Sequence, residues 1–193
     1  MPVETVLQYL YATYKFNVEQ RYCRFRADNE FYRRAEIIAK VLTGSGPSFG
    51  LFLCGGTGNG KTTFCRAIAQ MLTMLNVSVP IDNRYENYRL SMVQASDLAN
   101  TALNQPMRLR ELYDTRLLCI DDVGTEPAEL INYGNAVHPV ADILTHRYTT
   151  QRYTIITTNL APHEFSARYG ARIADRLREM MVIVPFDSRS YRQ

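Results

Sequence analysis

GGTGNGKTT occupies residues 55–63 of this 193-residue chain, directly after the apolar run 51–54. The spacing from Gly55 to Thr62, GxxxxGKT, is that of a phosphate-binding P-loop. Its glycines let backbone N–H groups curl around a phosphate, and the following helix adds partial positive charge at its N-terminus. We expect Lys61 to bridge the β- and γ-phosphates of ATP and the Thr62 hydroxyl to coordinate Mg²⁺. The candidate nucleotide-binding residues are Thr57, Gly58, Asn59, Gly60, Lys61, Thr62 and Thr63.

Short apolar runs alternate with longer helical patterns along the rest of the chain, which is typical of a parallel sheet covered by helices. Strands are predicted at 51–54, 90–94, 117–120, 154–157 and 181–184. Helices are predicted at 3–14, 29–42, 61–75, 95–104, 131–149 and about 162–178, with a polar loop at 80–89. We therefore predict an α/β P-loop NTPase of three layers, α/β/α, with a five-stranded parallel sheet. Residues 1–46 would form a helical segment and residues 47–193 the ATPase core.

Two predicted strands end in polar residues. Asp121 and Asp122 follow the apolar run 117–120, and Asn159 follows the run 154–158. Downstream of a P-loop, we expect Asp121 to hold Mg²⁺ and Asp122 to polarise an attacking water. Asn159 suits the orientation of that water, but an asparagine at the start of a turn is also ordinary turn chemistry.

The composition fits a folded cytoplasmic protein. Hydrophobic residues make up 46% of the chain and charged residues 21%, which argues against disorder. No apolar run approaches the ~18 residues of a membrane span, and an early Glu4 without a basic region argues against a signal peptide. The four cysteines form no CxxC or CxxH pair and are expected to be reduced thiols.

The order of P-loop, extra strand, Asp-Asp strand and Asn strand resembles that of AAA+ ATPases. Within them, the chain resembles the DnaC/DnaI helicase loaders and the related transposition helper ATPase IstB over roughly residues 47–192. The segments that carry this resemblance are GLFLCGGTGNGKTT (50–63), LLCIDDVG (117–124), YTIITTNL (153–160), RYGARIADRLRE (168–179) and FDSRSYR (186–192).

The resemblance implies roles for further residues. Asn159 matches sensor 1, and Arg176 matches the arginine finger that reaches a neighbouring subunit's ATP; Arg172 matches a second arginine without an assigned role. The implied partners are a replicative helicase or a transposase, further copies of the chain, and single-stranded DNA. Asp122 stands where the family usually has Glu, which predicts slow turnover. We also expect no C-terminal lid domain and no separate helicase-binding domain.

Alternative interpretations remain at this point. The chain could serve as a helicase loader, as an IstB-like transposition helper, or as a P-loop kinase for a small molecule. In the kinase, a phosphate-clamping lid would consist of Arg168, Arg172, Arg176 and Arg178.

Arginines and aromatic residues interleave over 21–34, which suits single-stranded nucleic acid. A solvated helix face with aromatics packed on the core is the favoured explanation there, because Asp28 and Glu30 interrupt the charge.

Overall fold

The computed structural model describes residues 1–44, 46–81, 84–127, 129–132 and 135–187, and the element bounds refer to these ranges. The strands are β1 (Gly50–Gly55), β2 (Ser78–Ile81), β3 (Arg84–Asn87), β4 (Ser91–Gln94), β5 (Leu117–Val123), β6 (Leu130–Asn132), β7 (Asn135–Val137), β8 (Tyr153–Thr158) and β9 (Val182–Phe186). The helices are α1 (Val3–Glu19), α2 (Asn29–Leu42), α3 (Lys61–Leu75), α4 (Ala95–Asn104), α5 (Pro106–Asp114), α6 (Pro139–Thr149), α7 (Pro162–Tyr169) and α8 (Ala171–Met180).

The central sheet has the strand order β4-β5-β8-β1-β9, and every pair in it is parallel. This confirms the predicted α/β fold with a five-stranded parallel sheet. Because the strands run in one direction, their carboxyl ends share one edge, which is where open α/β sheets bind ligands. β8 lies between β5 and β1, so the polar ends of these three strands are neighbours on that edge.

Helices cover both faces of the sheet, as the side chains of β1 show. Leu51 and Leu53 belong to a buried apolar cluster with residues of α1, α2 and α3. Phe52 and Cys54, which point to the opposite face, belong to a second cluster with residues of α4, α6 and α8. These two cores give the three layers expected from the sequence. None of the helices is both long and apolar enough to span a bilayer, within the part of the chain described.

The N-terminal helices pack directly on the P-loop helix. Asp28 caps α2 by accepting a hydrogen bond from the Phe31 N–H at 2.7 Å. Tyr14 of α1 contacts Phe31 and Phe64, with ring centroids 5.0 and 4.5 Å away. α1 and α2 thus share a core with α3, while the division into a segment 1–46 and a core 47–193 stays a prediction.

The predicted helix over 131–149 is wrong in its first part. β6 and β7 form an antiparallel hairpin there, and α6 begins only at Pro139. Proline cannot continue a helix from upstream, because it lacks the N–H and its ring clashes with the preceding turn, but it is favoured at the first helical position.

Three other segments differ from the prediction. The helix expected at about 162–178 is divided at Gly170, whose φ of +87° ends α7 before α8 begins. Part of the loop expected at 80–89 belongs to the antiparallel β2–β3 hairpin. α5 was not predicted; it begins at Pro106 directly after α4. Most of the closing segment 186–192 lies outside the described residues.

Candidate nucleotide-binding site

The P-loop connects the end of β1 to the start of α3 in a conformation that requires glycine. Gly55 and Gly60 have φ values of +134° and +89°. A side chain at Gly55 would collide with the Phe186 carbonyl, and one at Gly60 would collide with the Tyr14 hydroxyl. Asn59 ties the loop to β9 by donating from Nδ2 to the same Phe186 carbonyl at 2.7 Å. The loop is therefore held between α1 and the end of β9.

Lys61 is 5% exposed and lies within the loop. Its Nζ donates to the Gly55 and Gly56 carbonyls at 2.7 Å each, and to Asn159 Oδ1 at 2.9 Å. The lysine thus connects the ends of β1 and β8 at the position where a phosphate would meet the loop. Carbonyl and amide oxygens hold its ammonium group in this structure, and phosphate oxygens would replace some of them.

Asp121 is 1% exposed and accepts hydrogen bonds at both carboxylate oxygens. Thr62 Oγ1 and Thr157 Oγ1 donate to Oδ1 at 3.0 and 2.6 Å, and Gln94 Nε2 donates to Oδ2 at 2.9 Å. The predicted metal ligands Thr62 and Asp121 are therefore neighbours. A carboxylate and a hydroxyl beside a phosphate site suit Mg²⁺, which prefers oxygen ligands and is often held by few carboxylates plus substrate phosphates.

Asp122 has a left-handed backbone, with φ of +56°. A register shift between Ile120 and Val123 in the β5–β8 pairing accompanies it, and the Asp122 N–H donates to Thr157 Oγ1 at 2.8 Å. This local bend separates Asp122 from Asp121. Asp121 is buried under hydrogen bonds, while Asp122 lines the open cleft together with Asn159.

The cleft above the P-loop has a volume of about 970 Å³, within the range of small-ligand sites. One wall consists of residues 57–63, Asp122 and Asn159. The cleft is also lined by residues 21–26, together with Tyr14, Val18, Asp28 and Phe31. Arg21, Arg24 and Arg26 are exposed there and carry positive charge beside the phosphate site.

Sequence reasoning missed some of these residues. Gln94 and Thr157 are the last residues of the predicted strands 90–94 and 154–157. Polar residues at these strand ends could have indicated that both belong to the site. Residues 21–26 belong to the stretch 21–34 that was interpreted as a nucleic-acid surface or a solvated helix face, not as part of the nucleotide cleft. The structure shows no helix at 23–28. Phe25 and Phe31 pack on the core, as the favoured interpretation expected, but Tyr22 and Tyr32 are exposed.

Glu126, a second acid after β5, is buried and already engaged. Its Oε2 accepts from the Gly124 N–H at 2.9 Å, its Oε1 accepts from the Tyr169 hydroxyl, and Arg168 lies 3.6 Å away. Burial and the bond to this carboxylate raise the pKa of Tyr169. Glu126 therefore connects the β5 loop to the end of α7.

Arg176 is not brought to the cleft of its own chain. It lies on α8, where its guanidinium carbon is 5.2 Å from the centre of the Tyr148 ring. Arg172, one turn earlier, is exposed. None of the arginines of the hypothetical kinase lid (168, 172, 176 and 178) lines the described part of the cleft.

Residues 48–193, most of the chain, match the family described as IstB-like ATP binding protein. The chain belongs to this family. The resemblance to IstB that the motifs indicated is thereby confirmed, and the matched residues are those of an IstB-like ATP-binding protein. No curated protein sequence matches it.

Solved structures agree with this fold. A crystal structure of DnaI matches with a TM-score of 0.63 and 19% identity, over 83% of this chain and 87% of that chain. The DnaC helicase loader matches with a TM-score of 0.64 and 19% identity, over 92% and 98%. The replication initiator DnaA bound to AMPPCP and single-stranded DNA matches with a TM-score of 0.59 and 18% identity, over 83% and 48%. At these identities the likeness is one of fold.

Proposed function

We propose that this protein binds and hydrolyses Mg·ATP at the carboxyl edge of its sheet. One observation carries the proposal: Lys61 Nζ donates a hydrogen bond to Asn159 Oδ1 at 2.9 Å, and Thr62 Oγ1 donates one to Asp121 Oδ1 at 3.0 Å. Four polar side chains from three elements thus meet at a loop whose backbone suits a phosphate.

Each of these residues would have a separate role in ATP hydrolysis. Lys61 would exchange its carbonyl partners for the β- and γ-phosphates. Thr62 and Asp121 would hold Mg²⁺, which when bound offsets phosphate charge. Asp122, facing the open cleft, would polarise the attacking water, and Asn159 would orient it. Residues 21–26, which also line the cleft, would contact the adenine ring of the nucleotide.

Substitution of Lys61 tests ATP binding. Lys61→Ala removes the main cationic contact to the phosphates, so we expect at least about a tenfold loss of ATP affinity by calorimetry. Lys40→Ala is the control, because Lys40 pairs with Glu36 on the exposed side of α2, outside the cleft. Equal ATP affinity in the parent and Lys61→Ala proteins would refute the proposal.

For the biological role, we propose an ATP-dependent assembly in DNA metabolism that resembles a helicase loader, in the cytoplasm. The support is the family match together with the DnaI and DnaC fold. A transposition helper of the IstB kind is the alternative, favoured by the family description itself. Capture of partners from the host, with Lys61→Ala protein as control, distinguishes them: a replicative helicase supports the loader and a transposase supports the helper.

The kinase alternative has less support. It requires arginines that close over the phosphates, but Arg168 is held by Glu126 and Arg176 lies over Tyr148. ATPase activity stimulated by single-stranded DNA would support the proposed role, and phosphoryl transfer to a nucleoside or sugar would overturn it.

A further inference from the structure

Tyr148 of α6 lies between an acid and a base of α8. Its hydroxyl donates to Glu179 Oε2 at 2.5 Å, and the guanidinium carbon of Arg176 is 5.2 Å from its ring centre. One phenol side chain therefore contacts both charged groups. The hydrogen bond to Glu179 raises the pKa of Tyr148, as expected when a phenol donates to a carboxylate.

Arg176 and Glu179 are three residues apart on the same helix, a spacing at which opposite charges normally pair. Among the described residues, however, no carboxylate lies within 4.0 Å of Arg176. The carboxylate of Glu179 is instead engaged by the phenol, and a hydrogen bond from a hydroxyl to a carboxylate is a strong one. The face of the aromatic ring attracts the guanidinium without neutralising it.

We propose that Tyr148 is a positioning residue for Arg176: its hydroxyl occupies Glu179 and its ring supports the guanidinium, so the cation stays unpaired for a nucleotide of a neighbouring subunit. The inference rests on the proposed ATP-dependent assembly and on the arginine-finger role in trans that the family resemblance implies for Arg176. If Arg176 were paired with Glu179, that ion pair would have to break before the guanidinium could offset charge on the transferring phosphate.

The hydroxyl and the ring have separable roles. Tyr148→Phe keeps the ring but frees Glu179 to pair with Arg176. We expect turnover of the assembled protein to fall about two- to fivefold, the cost of first breaking a surface ion pair, with ATP affinity unchanged. Adding Glu179→Gln removes the competing charge, so the double variant should regain the parent rate. Tyr148→Leu, which lacks the ring as well, should be slower than Tyr148→Phe.

A purely structural role for Tyr148 would give a different pattern. Loss of packing between α6 and α8 would not be restored by Glu179→Gln, and would lower Tm in proportion to the loss of rate. Tyr113→Phe, which alters a nearby tyrosine that packs on His146, is the matched control and should keep the parent turnover. A parent rate in Tyr148→Phe, or a slow rate that Glu179→Gln does not restore, would overturn the inference.

Failure of this inference is distinguishable from failure of the finger assignment. If Arg176→Ala is inactive while Tyr148→Phe has the parent rate, only the role of Tyr148 is refuted. If Arg176→Ala itself has the parent rate, both are refuted.

In mixtures, Lys61→Ala subunits supply an intact Tyr148–Arg176 pair, so they should raise the turnover of Tyr148→Phe subunits. Arg176→Ala subunits lack the guanidinium and should not raise it.

Discussion

Asp122 lines the cleft with a carboxylate one methylene shorter than the glutamate that the resemblance leads us to expect at this position. If it polarises the attacking water, Asp122→Asn should bind Mg·ATP with unchanged affinity but lose about 10²-fold or more in turnover. Calorimetry and a steady-state phosphate-release assay measure the two effects. The left-handed φ of +56° suits Asp and Asn, so this variant keeps the local backbone.

The opposite outcome would also be informative. Should Asp122→Asn hydrolyse ATP at the parent rate, another group must activate the water. Glu126 would then be the next acid along the chain, although its contacts with Gly124 and Tyr169 hold it away from the cleft wall.

Tyr22 combines a left-handed backbone, φ +58°, with a side chain that is fully exposed at the mouth of the cleft. Such a conformation is costly for an aromatic residue, and local strain often accompanies function. We expect Tyr22→Asn to raise Tm, because Asn tolerates this conformation. ATP affinity should fall about fivefold or more as stacking on the base is lost.

Two variants control for this result. Tyr22→Phe should keep the affinity, because it keeps the ring. Gln151→Asn relieves a similar left-handed residue, φ +50°, at the end of α6, so it should raise Tm without affecting ATP. If Tyr22→Asn binds ATP as tightly as the parent protein, the exposed ring has no part in binding.

At the scale of elements, one buried arginine holds the sheet edge opposite the nucleotide site. Arg147 of α6 is fully buried and donates to the carbonyls of Leu112, Tyr113, Thr115 and Tyr153 and to the Thr154 hydroxyl. It thereby joins the end of α5 to the starts of β5 and β8. Burial lowers its pKa to about 10, so it remains charged at neutral pH.

Arg147→Met should destabilise the fold without weakening ATP binding at the far edge. Several buried carbonyls would lose their donor, so we expect a loss of about 2–4 kcal/mol in the free energy of unfolding. Urea denaturation measures it. Arg110→Met, at an exposed position of α5, should change stability by at most about 0.5 kcal/mol. A similar small change for Arg147→Met would show that the carbonyls find other donors.

The sequence predicted elements well where a single period continued over many residues. The bounds of α2, α3 and α4 agree with the predicted 29–42, 61–75 and 95–104. The β6–β7 hairpin was not predicted, because strands of three residues are too short to show the alternation of apolar and polar residues. Apolar residues there also continue the helical pattern of α6. The sequence also predicted that one edge of the sheet would hold Lys61, Thr62, Asp121 and Asn159, because the carboxyl ends of parallel strands share an edge. The wall at 21–26 could not be predicted, since it depends on how α1 packs against α3.

At the scale of the whole molecule, we expect Arg176 to act on a neighbouring copy. Arg176→Ala and Lys61→Ala should each be inactive alone, but mixtures should regain part of the activity where an intact P-loop meets an intact finger. Such fingers contribute roughly 10³–10⁵ in rate. Specific activity should also rise with protein concentration.

The described geometry favours this arrangement over an internal role, because Arg176 lies outside the cleft of its own chain and has no carboxylate within 4.0 Å among the described residues. Mixtures that remain inactive, together with turnover that is independent of concentration, would make Arg176 a structural residue.

Tyr14 places α1 in contact with the P-loop, since its hydroxyl fills the space above Gly60 and its ring packs on Phe64 of α3. A partner that tilts α1 would therefore change the shape of the phosphate site and the affinity for ATP. Thermodynamic linkage makes this effect reciprocal: ATP must change the affinity for that partner by the same factor. The N-terminal helix would in this way report the state of the nucleotide to whatever binds it.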